Sequence, residues 1–312
     1  MYHGVINVYK EPGYTSHDVV ARLRGILRQK KIGHTGTLDP AAEGVLPVCL
    51  GQATRICDLL TDKDKTYQAV LLLGQETDTQ DASGQVTGRF PVEISEEDLR
   101  RTAASFVGDY DQIPPMYSAL KVNGKKLYDL ARQGKEVERK PRRVQIYSLS
   151  VDWVDLPRAG LTISCSKGTY IRTLCFDIGR ALGCGGTMEK LKRTRVERFN
   201  AEDSLTLAQI EALRDENRLD EVIIPVEEMF DCPKAYPKPR AAGLAENGNP
   251  IRTEDFSRLV SSQGDQMMPE DLSREGWLRV YGGKDQFLGI YEYSSKMGMW
   301  KPKKMFPGEM QQ

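Results

Sequence analysis

The sequence of 312 residues contains no long apolar run, and this absence excludes a protein that crosses a membrane by a helix. Such a helix needs roughly 18 or more apolar residues in succession, and no stretch of the chain approaches that length. The start of the chain, from Met1 to Asn7, also lacks the basic and then apolar pattern of a secretory signal. We therefore expect a cytoplasmic protein with no membrane partner.

Cysteine is present, but the paired spacings that hold metals or disulfides are absent. The chain has no Cys-x-x-Cys pair, and its thiols stand among apolar or small residues at Cys49, Cys57, Cys165, Cys175, Cys184 and Cys232. This usage is typical of reduced, mostly buried thiols. The acidic stretch from Glu76 to Asp81 has the wrong spacing for an EF-hand calcium loop, so no metal site is indicated.

Net charge is also absent, because 44 basic side chains balance 44 acidic ones. The total argues against a polyanion partner, yet binding depends on where the charges lie rather than on their sum. Here the signs separate, since Arg22 to Lys31 carries five cations and no acid, and Arg139 to Arg143 carries four cations. Solvated helix faces show similar runs, so these two become candidate phosphate contacts only if they converge in space.

One dense run of conformationally special residues, Gly33 to Val48, stands out in this chain. Its glycines allow backbone shapes that other residues avoid, while its prolines fix φ and remove N–H donors. The run predicts an ordered loop without regular structure, and such loops often carry functional residues. A local alternative stays open, in which Asp39 caps a single helical turn that begins at Pro40 and stops at Gly44.

Patterns elsewhere predict helices and strands in one large domain and one small one, as the length suggests. Apolar alternation predicts strands at Val5–Val8, Tyr67–Leu73, Val144–Val154 and Leu161–Ser166, the last two joined by a turn at Pro157–Gly160. Capping signals predict helices that begin near Ser16, Ser95 and Thr206, and a further helix is predicted from about Tyr170 to Leu182. The proline-rich stretch from Pro225 to Pro239 predicts a boundary, and a hairpin of Trp277–Tyr281 with Phe287–Tyr293 follows it.

The segments Gly33–Pro40 and Gly44–Pro47 resemble the active-site motif of the bacterial TruB family of tRNA pseudouridine synthases. Further segments resemble the same family in the same order: Lys10–Val20, Lys65–Tyr67, Gln112–Arg132, Ser166–Leu174 and Leu191–Phe199. The resemblance covers roughly residues 3 to 230 and only weakly the rest of the chain.

The resemblance implies an α+β fold of the pseudouridine-synthase type, with a mixed, largely antiparallel sheet flanked by helices. Residues 1–230 would form the catalytic domain, in which a thumb segment at about 112–140 folds over bound RNA. Residues 231–312 would form a small, β-rich, PUA-like RNA-binding domain. The implied partner is the T-arm of tRNA, with no guide RNA, and the implied state is a monomer.

The activity implied is isomerisation of the uridine at position 55, in the T-loop of tRNA, to pseudouridine. The N1–C1′ bond breaks, the uracil turns, and it rejoins the sugar through C5, with no redox change and no cofactor. An ionised carboxylate near the anomeric carbon suits an oxocarbenium-like transition state, and Asp39 is the matching position. The sequence leaves open whether Asp39 attacks C1′ or promotes loss of the 2′ proton.

The family also implies partners for this carboxylate. Arg172 aligns with an arginine that pairs with the aspartate, and we expect its guanidinium to hold the pKa of Asp39 down. Tyr67 aligns with a tyrosine that stacks on the target base and could act as a base toward the sugar. The structural alternative for Tyr67 is a sheet aromatic with its hydroxyl at the rim.

Four further residues are assigned to substrate binding by the resemblance. His34 matches a histidine that fills the space left when the uridine is flipped out of its stack, a step that costs a few kcal/mol. Tyr170 and Leu191 correspond to pocket-lining positions, and Lys10 belongs to a matching motif. A structural hydrogen-bonding role for His34, and core roles for Tyr170 and Leu191, are the alternatives.

Two other classes of function compete with the enzyme. A non-catalytic tRNA-binding folding chaperone could use the same scaffold, but the joint presence of Asp39, Tyr67 and Arg172 favours chemistry. A carboxylate glycoside hydrolase of small substrates lacks a credible second acid in the loop.

Overall fold

The structure, a computed structural model, describes residues 1–122, 124–273 and 276–306. Asn123, within the predicted thumb segment, lies outside the described residues. The chain forms two compact units. The larger unit consists of residues 7–48 and 57–218, and the smaller one of residues 1–6, 49–56 and the described residues from 219 onward.

Half of the 18 strands in the described residues belong to one mixed sheet with the order β1-β3-β12-β4-β11-β10-β7, in which β2 also pairs with β3 and β13 with β12. The strands of this sheet are β1 (Gly4–Lys10), β2 (Ile32–His34), β3 (Glu43–Leu50), β4 (Lys65–Leu73), β7 (Gly108–Gln112), β10 (Arg142–Asp155), β11 (Arg158–Cys165), β12 (Gly186–Val196) and β13 (Phe199–Asn200). The β3–β12 pair is parallel, whereas β12–β4, β4–β11, β11–β10 and β10–β7 are antiparallel. Two hairpins lie outside the sheet: β5 (Gln75–Thr77) with β6 (Val86–Arg89), and β8 (Lys121–Val122) with β9 (Lys125–Lys126).

Three of the helices begin at capping residues that the sequence predicts. Among the described residues the α-helices are α1 (Ser16–Leu27), α2 (Cys57–Thr61), α3 (Glu96–Ala104), α4 (Leu127–Ala131), α5 (Ile171–Ala181), α6 (Leu207–Asp215) and α7 (Pro239–Glu246). Capping boxes start α1, α3 and α6, so that side chains satisfy the first free N–H groups of each helix. No helix in the described parts of the chain has both the length and the apolar character to span a bilayer.

The core of the larger unit lies between the central strands and α5. On β4 the side chains of Tyr67, Ala69, Leu71 and Leu73 are all buried, as their alternation predicted. They form one cluster with apolar residues of β11 and α5, among which are Leu161, Ile163, Leu174 and Ile178. This packing fixes the two elements, β4 and α5, that carry candidate site residues.

The predicted antiparallel pair of β10 and β11 is confirmed, but its turn is shorter than the predicted Pro157–Gly160, because strand pairing continues closer to the tip of the hairpin. Asp155 of β10 pairs with Arg158 of β11, which leaves two residues for the turn. Gly160 is a strand residue, and a Cβ there would lie 2.0 Å from Nε1 of Trp153. The glycine is therefore required by an indole that packs on the strand rather than by a turn.

The smaller unit contains a five-stranded sheet with the order β15-β14-β16-β17-β18. Its strands are β14 (Lys234–Pro237), β15 (Phe256–Val260), β16 (Trp277–Tyr281), β17 (Phe287–Ser294) and β18 (Met299–Met305). The predicted hairpin is confirmed as the antiparallel pair β16–β17, and Tyr291 and Trp300 are buried in the core of this sheet. The expected α+β class, with a largely antiparallel main sheet and a β-rich C-terminal part, is confirmed.

Candidate active site

The predicted non-regular loop, Gly33 to Val48, is confirmed only for residues 35–42, because its first two residues belong to β2 and its last six to β3. We name residues 35–42 the Asp39 loop. Distant residues hold its backbone. The N–H of Leu38 donates to Oγ of Ser16 at 2.9 Å, and Nζ of Lys10 donates to the carbonyl oxygens of Pro40, at 3.1 Å, and Ala42. The carboxylate of Asp39 therefore extends from a backbone that is fixed before any substrate binds.

The alternative of a helical turn at Pro40 is wrong. The N–H of Ala42 donates to the Asp39 carbonyl at 3.0 Å, which closes one isolated turn, and β3 starts at the next residue. Lys10 occupies carbonyls on which a helix would depend, and pairing of Glu43 with β12 extends the chain. Gly44, at φ +107°, is needed because a Cβ there would lie 2.1 Å from a backbone oxygen of β12.

Asp39 and Arg172 form an ion pair although they are far apart in the sequence. Nη2 of Arg172 lies 3.3 Å from Oδ1 of Asp39 and donates to the carbonyl oxygen of Tyr117 at 2.8 Å. The Arg172 side chain is only 7% exposed, whereas that of Asp39 is 36% exposed. A buried guanidinium in the first turn of α5 thus aims at a carboxylate that remains accessible.

A second carboxylate, which the sequence reasoning missed, shares this guanidinium. Nη1 of Arg172 lies 3.4 Å from Oδ2 of Asp81, whose Oδ1 accepts hydrogen bonds from Oγ1 of Thr79 at 2.8 Å and from the N–H of Ser83 at 2.9 Å. Asp81 lies in the connection between β5 and β6. Its only signal in the sequence was the acidic stretch assessed for calcium. Within the described residues, no cluster of three or more His, Cys, Asp or Glu could hold a metal.

The expected direction of the pKa shift at Asp39 is wrong. Burial raises the pKa of the Asp39 carboxyl, and the negative charge of Asp81 raises it further. Arg172 and, more weakly, Lys10 lower the pKa, but they do not outweigh the burial. Sharing the guanidinium between two acids weakens its hold on either one. The carboxylate is therefore a stronger proton acceptor than a free aspartate.

Tyr67 lies on β4 directly opposite Arg193 of β12, and its ring is buried. Burial raises the pKa of the Tyr67 hydroxyl to about 12, and the charge of Asp39 is near enough to contribute to this rise. A phenol with that pKa keeps its proton at neutral pH. The Tyr67 side chain is therefore a neutral phenol that can donate or accept a hydrogen bond.

His34 is half-buried at the end of β2, where its ring meets that of His17 edge to face at a centroid distance of 5.3 Å. Its Nδ1 accepts the N–H of Gly36 at 3.3 Å, which requires this nitrogen to be unprotonated. Burial, and then the charges of His17 and Arg193, lower the pKa of His34. A neutral imidazole beside the Asp39 loop follows from these contacts.

The other predicted site residues occupy different surroundings. Tyr170 precedes α5; its carbonyl oxygen accepts from Nε2 of the Gln112 side chain, and its N–H donates to Oε1 of the same side chain. The centroid of its ring lies 5.9 Å from Cζ of Arg172. Leu191 of β12 is half-buried opposite Ala69. Lys10 is 0% exposed, and its ammonium donates to the backbone of the Asp39 loop.

The two basic runs differ in whether their side chains pair with acidic residues. The five cations of Arg22 to Lys31 are exposed on and after α1, as predicted for the polar face of that helix. In the second run Arg143 pairs with Asp111 at 3.2 Å, and Arg139 donates to Glu136 at 3.0 Å. The run on α1 is therefore the better candidate surface for phosphates.

Two family models match consecutive parts of this chain. Residues 24–171 match the N-terminal domain of the TruB family of pseudouridylate synthases, and residues 172–231 match the C-terminal domain of tRNA pseudouridylate synthase B. The chain is 50% identical to tRNA pseudouridine synthase B of Lachnoclostridium phytofermentans, over 97% of this chain and 99% of that protein. It is 46% identical to tRNA pseudouridine synthase B of Alkaliphilus oremlandii, over 80% of this chain and 83% of that one.

The fold of this chain is also similar to that of solved structures. One similar chain comes from a structure of an H/ACA RNP bound to a substrate RNA that contains 2′-deoxyuridine. The TM-score is 0.70 at 25% identity, over 97% of this chain and 85% of that chain. With half of its residues identical to one full-length relative, this chain belongs to the TruB family of pseudouridylate synthases.

Proposed function

We propose that this protein converts the uridine at position 55 of tRNA, in the T-loop, to pseudouridine. The observation that carries the proposal is the accessible carboxylate of Asp39, held by Arg172 at 3.3 Å within the family's active-site motif. The relatives named tRNA pseudouridine synthase B, which match nearly the whole chain, support tRNA as the substrate. Uridine isomerisation needs one such carboxylate and no redox group.

We propose that Asp39 acts at the anomeric carbon of the target uridine. As the N1–C1′ bond breaks, positive charge develops on the sugar, and an ionised carboxylate stabilises it either by bonding to C1′ or by accepting the 2′ proton. The uracil turns, C5 bonds to C1′, N1 gains a proton and C5 loses its hydrogen to water. Arg172 keeps the carboxylate aimed throughout, because its guanidinium is buried and held by two further acceptors.

We propose that the detached base is retained by side chains around this carboxylate. Tyr67 supplies a ring face and a neutral hydroxyl, and Tyr170 and Leu191 line the pocket. His34 enters the space that the flipped uridine leaves in the RNA, where a neutral imidazole can stack and hydrogen-bond. Lys10 contributes to substrate binding indirectly, since its buried ammonium fixes the Asp39 loop.

We further propose that the protein works as a monomer in the cytoplasm, on the T-arm of tRNA and without a guide RNA. The segment 112–140 would act as a thumb over the RNA, and the carbonyl of Tyr117 in that segment already contacts Arg172. Residues 1–230 would form the catalytic domain, and residues 231–312 a PUA-like domain that binds RNA. The exposed cations of α1 would contact phosphates.

The test is a tritium-release assay on a tRNA transcript labelled with [5-³H]uridine, with no other RNA added. We expect the parent chain to release tritium from one uridine, identified as position 55 by mass analysis. We expect Asp39→Asn to bind the transcript and release none, because the amide can neither attack C1′ nor accept a proton. Asp152→Asn, at an exposed carboxylate on β10, is the matched control and should retain the parent rate.

Two results would contradict this proposal in different ways. Tritium release by Asp39→Asn at the parent rate would contradict the role of Asp39 in the mechanism, but not the isomerase activity of the protein. Refolding of tRNA by a parent chain that releases no tritium would instead support the non-catalytic chaperone. Release that depends on a second RNA would contradict the stand-alone activity.

A further inference from the structure

Gln112, the last residue of β7, carries a buried amide that the proposed reaction does not yet use. The residue is only 1% exposed. Its Oε1 accepts from the N–H of Tyr170 at 2.8 Å, and its Nε2 donates to the carbonyl oxygen of Tyr170 at 2.9 Å. One side chain thus bonds to both main-chain groups of a distant residue, as a neighbouring strand would. Loss of this amide would leave two buried backbone groups to find other partners.

The main chain that Gln112 holds is the start of α5. Tyr170 is the N-cap of this helix, and within the described part of the chain its own side chain makes no capping hydrogen bond. The first N–H groups of a helix have no partners inside the helix, so they depend on acceptors supplied from elsewhere. The carbonyl oxygen of Tyr170 also accepts from the N–H of Leu174 at 3.1 Å. The Gln112 contacts and the first turn of α5 therefore share one carbonyl group.

Arg172 is the second residue of α5, so the orientation of this first turn determines where its guanidinium lies. Its Nη2 lies 3.3 Å from Oδ1 of Asp39 and 2.8 Å from the carbonyl oxygen of Tyr117. The next residue, Thr173, donates from Oγ1 to Oε1 of Gln80 at 2.7 Å. Groups from outside the helix thus hold it both before and after Arg172.

Gln112 also lies where the proposed thumb segment leaves the main sheet. It pairs with Arg142 at the start of β10, so residues 113–141 leave and rejoin the sheet at one place. Tyr117, whose carbonyl accepts from Arg172, belongs to that excursion. Gln112 is therefore the point at which the sheet, the thumb segment and α5 are joined.

We propose that Gln112 is a positioning residue, whose side-chain amide fixes the start of α5 and so sets the distance between the guanidinium of Arg172 and the carboxylate of Asp39. This inference rests on the proposed function. A neutral amide suits the role because it accepts and donates without adding a charge beside the ion pair. A displaced first turn would move Arg172 away from Asp39, and the carboxylate would then be less well aimed.

The test compares Gln112→Met with the parent chain by single-turnover tritium release, with enzyme in excess and saturating, so that affinity does not enter the rate. Methionine keeps the length of the side chain but makes neither hydrogen bond. We expect the rate to fall about 30-fold, within the range that a misplacement near 1 Å can cause. Gln145→Met, at an exposed glutamine of β10, is the matched control and should retain the parent rate.

The pH–rate profile separates the positioning of Arg172 from a general loss of stability. The charged groups that act on the carboxyl of Asp39 are Arg172, Asp81 and Lys10, and only Arg172 lies on the helix that Gln112 holds. A more distant guanidinium opposes the raised pKa of Asp39 less. We therefore expect the acid limb of Gln112→Met to move to higher pH, and a rate that falls equally at every pH would overturn the inference.

A double-mutant cycle with Arg172→Met supplies a second readout. In the Arg172→Met background, Gln112→Met should change the rate by less than about threefold, because the group that it positions is absent. Losses that multiply would overturn the inference, since Gln112 would then act independently of Arg172. If Gln112→Met is unfolded at the assay temperature by circular dichroism, both measurements are made with Gln112→Asn, whose amide is too short to reach both groups of Tyr170.

A folded Gln112→Met variant that reacts within about threefold of the parent rate would also overturn the inference. All of these results presuppose a parent chain that isomerises tRNA. They are therefore distinct from failure of the proposed function, in which the parent chain itself is inactive.

Discussion

Two groups of cations contact the Asp39 loop, and they contact different parts of it. Arg172 contacts the Asp39 carboxylate, whereas Lys10 and Arg193 donate to backbone carbonyls. The first contact depends on the ionisation of an acid, while the second does not, because carbonyls do not titrate. Arg172 therefore affects the reactivity of the carboxylate, whereas Lys10 and Arg193 stabilise the shape of the loop.

The largest expected effect comes from removing the charge that contacts the carboxylate. We expect Arg172→Met to lower the single-turnover rate by about 1,000-fold, the upper range for one electrostatic partner of a reacting group. The variant also loses the group that opposes the raised pKa of Asp39. Since activity requires the ionised carboxylate and disappears as pH falls through its pKa, the acid limb of the pH–rate profile should move to higher pH.

Arg180→Met, at an exposed arginine of α5 that pairs with Glu76, is the control on the same helix. It should leave both the rate and the acid limb in place. An Arg172→Met variant whose acid limb coincides with that of the parent would show that the guanidinium orients Asp39 without controlling its charge. The two groups of cations would then not differ in their effect on the ionisation of Asp39.

An intermediate effect, on stability rather than on rate, is expected for the backbone contacts. Lys10→Met removes the donor to the carbonyls of Glu11, Pro40 and Ala42. We expect a loss of about 2 kcal/mol in the free energy of unfolding, the usual cost of leaving buried acceptors unpaired. Urea unfolding measures it, with Lys167→Met, at an exposed lysine paired with Asp62, as the control.

The Lys10 substitution also has a pH signature. Burial lowers the pKa of Lys10 from 10.5 to about 8, so between these values the unfolded chain binds more protons than the folded one. The contribution of Lys10 to stability therefore becomes more favourable as pH rises from about 8 towards 10.5. The stability of the parent relative to Lys10→Met should increase over that range, and a constant difference would contradict the buried ammonium.

Local patterns predicted the elements that carry the site, but not all of the contacts within it. The start of α1 at Ser16 and the buried face of β4 follow from capping and from alternation, which are properties of neighbouring residues. The pairing of Asp39 with Arg172 spans 133 residues and was expected only from the family resemblance. Chain topology creates such a contact, and no spacing in the sequence encodes it.

The errors have the same origin. Asp81 lies outside the segments that resemble the family, and Arg193 lies within one of them without an assigned role. Each becomes significant only when a distant guanidinium or carbonyl lies beside it. The pKa of Asp39 was expected to fall because the guanidinium was expected to outweigh the burial of a partly dry pocket, and the charge of Asp81 was not considered. Burial is a property of the packed molecule, so its sign could not be found in the loop itself.

The smallest expected effect belongs to cations outside both groups. Arg22 is exposed on α1, so it contributes to neither the charge of Asp39 nor the shape of its loop. If it contacts a phosphate, Arg22→Gln should weaken tRNA binding about equally for all transcripts and reduce the slope of log affinity against log salt by about 1. Filter binding from low to moderate salt measures this slope. An unchanged slope would show that Arg22 of α1 does not contact the RNA backbone. A slower reaction of Arg22→Gln at saturating tRNA would contradict the claim that exposed cations affect only binding.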